Sequence, residues 1–212
     1  MIPLRAIAVA LALPAASDAS PARDWIDAAQ GGAARWQELG TLELPSGRIF
    51  IGDPSWGDAY HMKGARPVEA DELDVWLRVG EAGGITAVWL EASGETPVRI
   101  SAALPFGMEA AYFALGDKDT GSAIAALGEA DLPDIPDGFA LFRPVVQEAG
   151  FVADWVPVPP RKLPALAIGT GSDGGLHAVW TRDTAGKLSG ILIDVTGRDS
   201  DGRFIDLLLE EG

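Results

Sequence analysis

Two periods run along this chain. From Ser20, apolar residues recur at steps of three and four: Ala22, Trp25, Ile26, Ala29, Ala33 and Trp36 fall on one helical face. Ser20 is placed to cap that helix, Pro21 suits its first position, and Asp24 lies in its first turn. Gly31-Gly32 weakens the middle, so the segment reads as one helix or two short ones ending at Gly40. From Thr41 the period falls to two, in short runs broken by Gly, Pro, Asp and Ser, which predicts strands joined by turns.

Thr41–Leu44 and Arg48–Ile51 flank the turn-forming triplet Pro45-Ser46-Gly47. Asp74–Gly80 alternates. Ile85–Ala92 is apolar on both faces at its centre and therefore predicts a central strand. Strands follow at Thr96–Ala103 and Ala110–Leu115, then a short helix at Ser122–Ala130 capped by Asp119 or Thr120. Residues 131–164 form a Pro- and acid-rich excursion with short strands at Phe139–Phe142 and Phe151–Val156; its prolines exclude it from a sheet interior, and its aromatics predict that it packs back on the domain. The last part reads as a β-meander of Pro164–Ile168, Leu176–Thr181, Leu188–Val195 and Arg203–Leu209, with turns at Asp183–Gly186 and Asp199–Gly202. The expected architecture is mainly β: an antiparallel β-sandwich or open barrel with an N-terminal helical segment and one short helix, built as one domain over residues 20–212.

Residues 1–19 resemble an export signal: Arg5, then the apolar run Ala6–Leu13, then Pro14 and the small residues Ser17 and Ala19 around Asp18. Such a signal implies a periplasmic or secreted protein; without one the chain would be cytoplasmic. No apolar run reaches the roughly 20 residues that span a bilayer.

Charge narrows the partners. The 31 acids against 16 bases leave a net charge of -15. Nucleic acid is excluded as a partner, because phosphate contacts need clustered Lys and Arg. A basic protein fits this charge, and a glycan remains compatible with it. The absence of cysteine removes disulfides, thiolate chemistry and Cys-based zinc sites. No motif calls for a cofactor.

Candidate chemistry collects in two loops, Asp53–His61 and Gly169–His177. The binding candidates are Asp53, Trp56, Asp58 and His61 in the first, and Ser172, Asp173 and His177 in the second. Gly169-Thr170-Gly171-Ser172-Asp173-Gly174-Gly175 is no phosphate loop, since no Lys follows and a strand, not a helix, comes next. It is no nucleophile elbow, since Thr170 occupies the first glycine position of GxSxG. Its glycines are those of a turn between strands. His61 and His177, the only imidazoles, could join Asp53, Asp58 and Asp173 in a two-His, carboxylate metal site, although HxH, HxxxH and HExxH are all absent. The acids of Asp117-Lys118-Asp119-Thr120 and Asp199-Ser200-Asp201-Gly202 suit turns and helix caps better than calcium loops. Among the seven tryptophans, Trp76, Trp89 and Trp180 sit inside strands and predict core, whereas Trp56 sits in a glycine-bearing loop where it could stack on a sugar.

Leu44-Pro45-Ser46-Gly47-Arg48-Ile49 with Asp53-Pro54, together with Gly171-Ser172-Asp173-Gly174-Gly175, is similar to an uncharacterised bacterial domain-of-unknown-function family of the DUF4241 type. His177-Ala178-Val179 and Asp194-Val195 depart from that family's late pattern. The resemblance implies a β-rich fold and no established activity. The leading functional expectation is a non-enzymatic, acidic binding protein that takes a basic protein partner. The alternatives are an exported carbohydrate-binding protein using Trp56, and a metal-dependent hydrolase using His61 and His177.

Overall fold

The computed structural model describes residues 20–30, 34–54, 62–81, 83–108, 111–129, 141–142, 153–171 and 174–195. The order is α1 (Pro21–Ala29), β1 (Arg35–Glu43), β2 (Arg48–Gly52), β3 (Met62–Pro67), β4 (Glu72–Val79), β5 (Ile85–Glu91), β6 (Arg99–Met108), β7 (Tyr112–Asp117), α2 (Lys118–Glu129), β8 (Ala153–Val158), β9 (Leu163–Gly169), β10 (Gly174–Arg182) and β11 (Leu188–Asp194). These strands make two antiparallel sheets. The first has the order β1-β4-β5-β11-β10-β6 and the second β3-β2-β7-β9-β8. The mainly β sandwich expected from the pattern is present, and the described strands close no barrel.

The sheets share one core. Leu73, Val75, Leu77, Val88, Leu90, Phe106, Ile191 and Ile193 come from the first sheet, and Ile49, Ile51, Phe113, Leu115, Leu166 and Ile168 from the second. Alternation in β4 follows from this: Leu73, Val75 and Leu77 point in, while Glu72 and Asp74 point out.

Both outer faces carry a helix, so the molecule has four layers. α2 covers the second sheet with Ile124 and Leu127 against Phe50, Tyr112, Ala114, Ala165 and Ala167. Its close approach depends on Gly121, where an added Cβ would come within 2.7 Å of Phe50 Cγ. α1 covers the first sheet with Ala22 and Ile26 against Ala87, Trp89 and Leu192, with Trp25, Trp36 and Trp76 packed around them. Central strands with both faces covered lose their alternation. Hence β7 and β11 are apolar almost throughout and buried along their length, β11 up to its last residue, Asp194.

Several expectations are corrected. The helix predicted through Trp36 stops at Ala29, and Trp36 lies in β1. Its aromatic ring still packs against the α1 cluster from β1. Ser20 makes no side-chain cap; its hydroxyl donates to Glu91 Oε2 at 2.8 Å. β1 and β2 do not pair across Pro45-Ser46-Gly47 but pass to different sheets. The meander is split likewise: β9 belongs to the second sheet, β10 and β11 to the first. Leu141 and Phe142, expected in a strand, are helical, and Phe142 is buried against Tyr112 with ring centroids 6.0 Å apart. The predicted strand 203–209 and turn 199–202 lie outside the described residues, as does the candidate signal 1–19. β8 is an edge strand, as Pro157 requires, whereas Pro164, expected outside a sheet interior, is the second residue of the interior strand β9.

The edges are blunted. β1 has a bulge between Glu38 and Gly40, and Leu39 there gives its carbonyl to Trp155 Nε1–H of β8 at 3.0 Å, linking the two sheets. β6 has a register shift that leaves Ser101 without an opposite residue, and it carries Pro105. β3 is irregular against β2 and ends at Pro67. Bulges and prolines of this kind oppose strand addition. Among the described residues, no helix is long and apolar enough to cross a membrane.

At the start of α2 the cap is Asp117, earlier in the chain than expected. Its Oδ1 accepts from the Asp119 N–H at 2.9 Å, and its Oδ2 accepts from Ser46 Oγ–H at 2.6 Å and Ser46 N–H at 2.9 Å. Burial pushes this carboxyl up, but the hydrogen bonds from Ser46, Asp119 and Lys118 outweigh it and hold it below the ordinary carboxylate range. A depressed folded value means stability that is present above the unfolded value and lost as pH falls through the folded one. Ser46→Ala should therefore destabilise near neutrality. The deficit, read from urea midpoints, should shrink as pH drops below the ordinary value of 3.8. A deficit that stays constant into acid would show that the charged form of Asp117 is not what Ser46 serves.

Candidate functional site

Antiparallel order decides where the two chemistry-bearing loops emerge. Asp53 follows the C-terminal end of β2, and Thr170 follows the C-terminal end of β9. β2 and β9 flank β7 on either side, with Gly52 opposite Ala114 and Gly169 opposite Tyr112. Both loops therefore leave the same end of the second sheet, from strands separated by two strand spacings, about 10 Å. The spacing of residues 53 and 169 in the sequence carries no hint of this; only the pairing through β7 does.

The same end gathers two crossovers between the sheets. Met108 ends β6 and Tyr112 begins β7; Gly169 ends β9 and Gly174 begins β10. Gly174 pairs with Met108 and Gly169 with Tyr112, so the two crossovers start and finish on neighbouring strands. Thr170 ties them together. Its N–H donates to Ala111 O at 2.8 Å, and its Oγ1–H donates to the same carbonyl at 2.8 Å. Met108 Sδ lies 3.9 Å from that hydroxyl. Ala111 holds a positive φ of 57° and Gly171 one of 72°, backbone shapes that such abrupt crossings require. The glycine-rich run is thus a sheet-to-sheet crossover, in line with a turn between strands.

Asp53 is fully buried at the strand end, where a carboxylate needs hydrogen-bond compensation for lost water. His177 lies on β10 opposite Pro105 of β6, and its side chain is exposed on the outer face. It follows Gly174 by three positions, roughly 10 Å along the strand. Trp56, Asp58, His61, Ser172 and Asp173 fall outside the described residues. Of the two-histidine site, then, only Asp53 and His177 can be placed: one is buried in the second sheet, the other exposed on the first. Among the described residues no group of three or more His, Asp or Glu is gathered closely enough to hold a metal ion.

Two contributors escape sequence reading. Thr170 looks in the sequence like a failed glycine of an elbow, and its structural duty depends on a carbonyl 59 residues away. The other is the charged layer beneath α1. Arg23 stacks over Trp76 with its guanidinium 3.6 Å from the ring centroid. Arg78 pairs with Asp27 at 2.7 Å and donates to Thr86 Oγ1 at 3.0 Å. Helical period predicts which residues of α1 face inward but not that two arginines are buried beside them.

The fold is a two-sheet antiparallel sandwich with α1 on one outer face and α2 on the other, and its candidate site is the sandwich end where the sheets exchange strands. Comparison of the chain with protein-family models, with curated proteins and with solved structures finds no match to any of them.

Proposed function

We propose that this is a non-catalytic binding protein that takes a positively charged protein partner at the sandwich end carrying the loops after β2 and β9. The observation that supports the reading is their common origin: both leave one end of one sheet, and Thr170 fixes the neighbouring crossovers to each other. A rigid rim bearing loops of polar and aromatic residues is a frequent design for recognition. The net charge of -15 gives long-range attraction for a basic surface. The family resemblance adds a β-rich fold and no activity. An export signal at residues 1–19 would place the encounter outside the cytoplasm.

The test is chemical cross-linking of the tagged protein in its source cells, followed by mass spectrometry. One variant carries Asp58→Ala, Asp173→Ala and His177→Ala. A control carries Glu43→Ala and Glu72→Ala, two acids that face each other on the distant β1–β4 pair. The expected result is a basic partner held by wild type and control, released by rising salt, and lost by the loop variant. A partner retained by the loop variant, or lost equally by the control, would overturn the proposal.

A further inference from the structure

We infer that the Thr170 hydroxyl is the catch of a two-position latch at the candidate site, and that Ala111 is the strained part it holds. Among the described residues, two that are not glycine hold a positive φ, Ala111 and Lys162, both at 57°. Lys162 turns the exposed β8–β9 hairpin at the other end of the second sheet. Ala111 stands where β6 passes into β7, at the candidate site. A side chain in that region sets its Cβ against its own backbone, so the shape persists only where neighbours impose it.

The neighbour that imposes it is Thr170. Two hydrogen bonds reach the Ala111 carbonyl, both of 2.8 Å, one from the Thr170 N–H and one from its Oγ1–H. Any residue but proline supplies the first, so the hydroxyl is the part that the sequence adds. Thr170 is 4% exposed, and a hydroxyl released from Ala111 is shielded from bulk water. Its second acceptor is Met108 Sδ, 3.9 Å away and also buried. A thioether accepts weakly, so the carbonyl is the preferred position and the sulfur the alternative. One hydrogen between two acceptors gives the latch its two positions. In the first the Ala111 backbone is held left-handed; in the second it relaxes to the extended region.

Thr170 opens the crossover that leads to β10, and Ala111 closes the one that leads to β7. The latch therefore sets the shape in which this end meets a partner. That consequence rests on the binding role proposed above, whereas the latch itself does not.

The test is a mutant cycle on the full chain: Ala111→Gly, Thr170→Val and both together, read by urea midpoint and by the NMR Cα shift of Ala111. Lys162→Gly is the control, and Thr170→Ser keeps the hydroxyl. Glycine relieves a positive φ but loses more chain entropy where φ is ordinary. In wild type, Ala111→Gly should raise the midpoint. In Thr170→Val, where Ala111 has relaxed, it should lower it. Lys162→Gly should shift the midpoint equally in both backgrounds. The Ala111 shift should leave its left-handed value in Thr170→Val and keep it in Thr170→Ser. The amide of residue 170 should exchange on the order of tenfold faster in Thr170→Val, while β7 and β9 keep their protection. Thr170→Ala repeats the cycle, so a folding defect in one background leaves the other to decide. An Ala111→Gly gain of equal size with and without the hydroxyl overturns the inference. So does an Ala111 shift that stays left-handed in Thr170→Val. Neither result bears on whether a partner is captured by cross-linking, so the latch and the binding role fail separately.

Discussion

Gly190→Ala should cost on the order of 3 kcal/mol, the upper range for forcing one methyl into a packed interior. Gly190 sits in β11 opposite Glu91 of β5 and Thr181 of β10. The Trp89 ring lies across it. A Cβ there would come within 2.4 Å of the Leu90 carbonyl oxygen and 2.5 Å of two Trp89 ring carbons. The ring cannot tilt away freely, because its Nε1–H donates to Glu91 Oε2 at 2.9 Å, the same oxygen that takes the Ser20 hydroxyl. The carbonyl is backbone in a central strand and cannot move without its ladder. At about 2–4 °C per kcal/mol for a chain of this size, the melting temperature should fall by roughly 6–12 °C. Gly107→Ala on β6 is the control, since its added Cβ meets nothing within 4 Å. That change should stay within about 0.5 kcal/mol. Equal urea midpoints for the two variants would mean that Trp89 does not cross β11 as described.

This close crossing also shows where sequence reading stops. Period two locates most of the strands, because a residue's side of the sheet follows from its own position in the chain. Ile85–Ala92, apolar on both faces, reads as central, and β5 lies inside the first sheet. The same pattern contains the covering helices, since a strand apolar on both faces needs a second apolar layer outside it. What it cannot contain is partner choice. β9, β10 and β11 follow one another with turns between, which suits a meander as well as a crossover; Thr170 binding Ala111 and Gly174 pairing with Met108 decide for the crossover. Trp36 fits a helix in the sequence because three- and four-residue spacing from Trp25 is met by chance once β1 begins at Arg35, shortly after the C-cap Gln30. For the site, the sequence identifies loops rich in Asp, His and Gly, and pairing through β7 supplies their common end. Asp53 reads as a loop carboxylate in the sequence, whereas the fold buries it completely at the end of β2.

Removing the ring that joins those layers should have the other large effect. Phe113 of β7 is fully buried, and its ring meets Phe106 of β6 edge-on, centroids 5.4 Å apart at 64°. The pair bridges the two sheets, and each ring stands close to the end where β6 passes into β7. Phe113→Ala should cost about 4 kcal/mol: lost transfer of the ring plus a cavity that strands on both sides cannot close. Phe106→Ala should cost a similar amount. The double variant should cost less than the sum by about 1 kcal/mol, because either single change already abolishes the edge-to-face attraction. Urea unfolding with an unchanged slope is the measurement, because the slope reports whether the same surface is exposed in each variant. Additive costs would mean the rings do not touch. Because Phe113 follows Tyr112, the partner of Gly169, and precedes Ala114, the partner of Gly52, its removal should also loosen the strand ends from which both loops leave. If the proposed binding at this end holds, a partner captured there should bind Phe113→Ala more weakly than wild type even under conditions where both are folded, although Phe113 itself never reaches the surface.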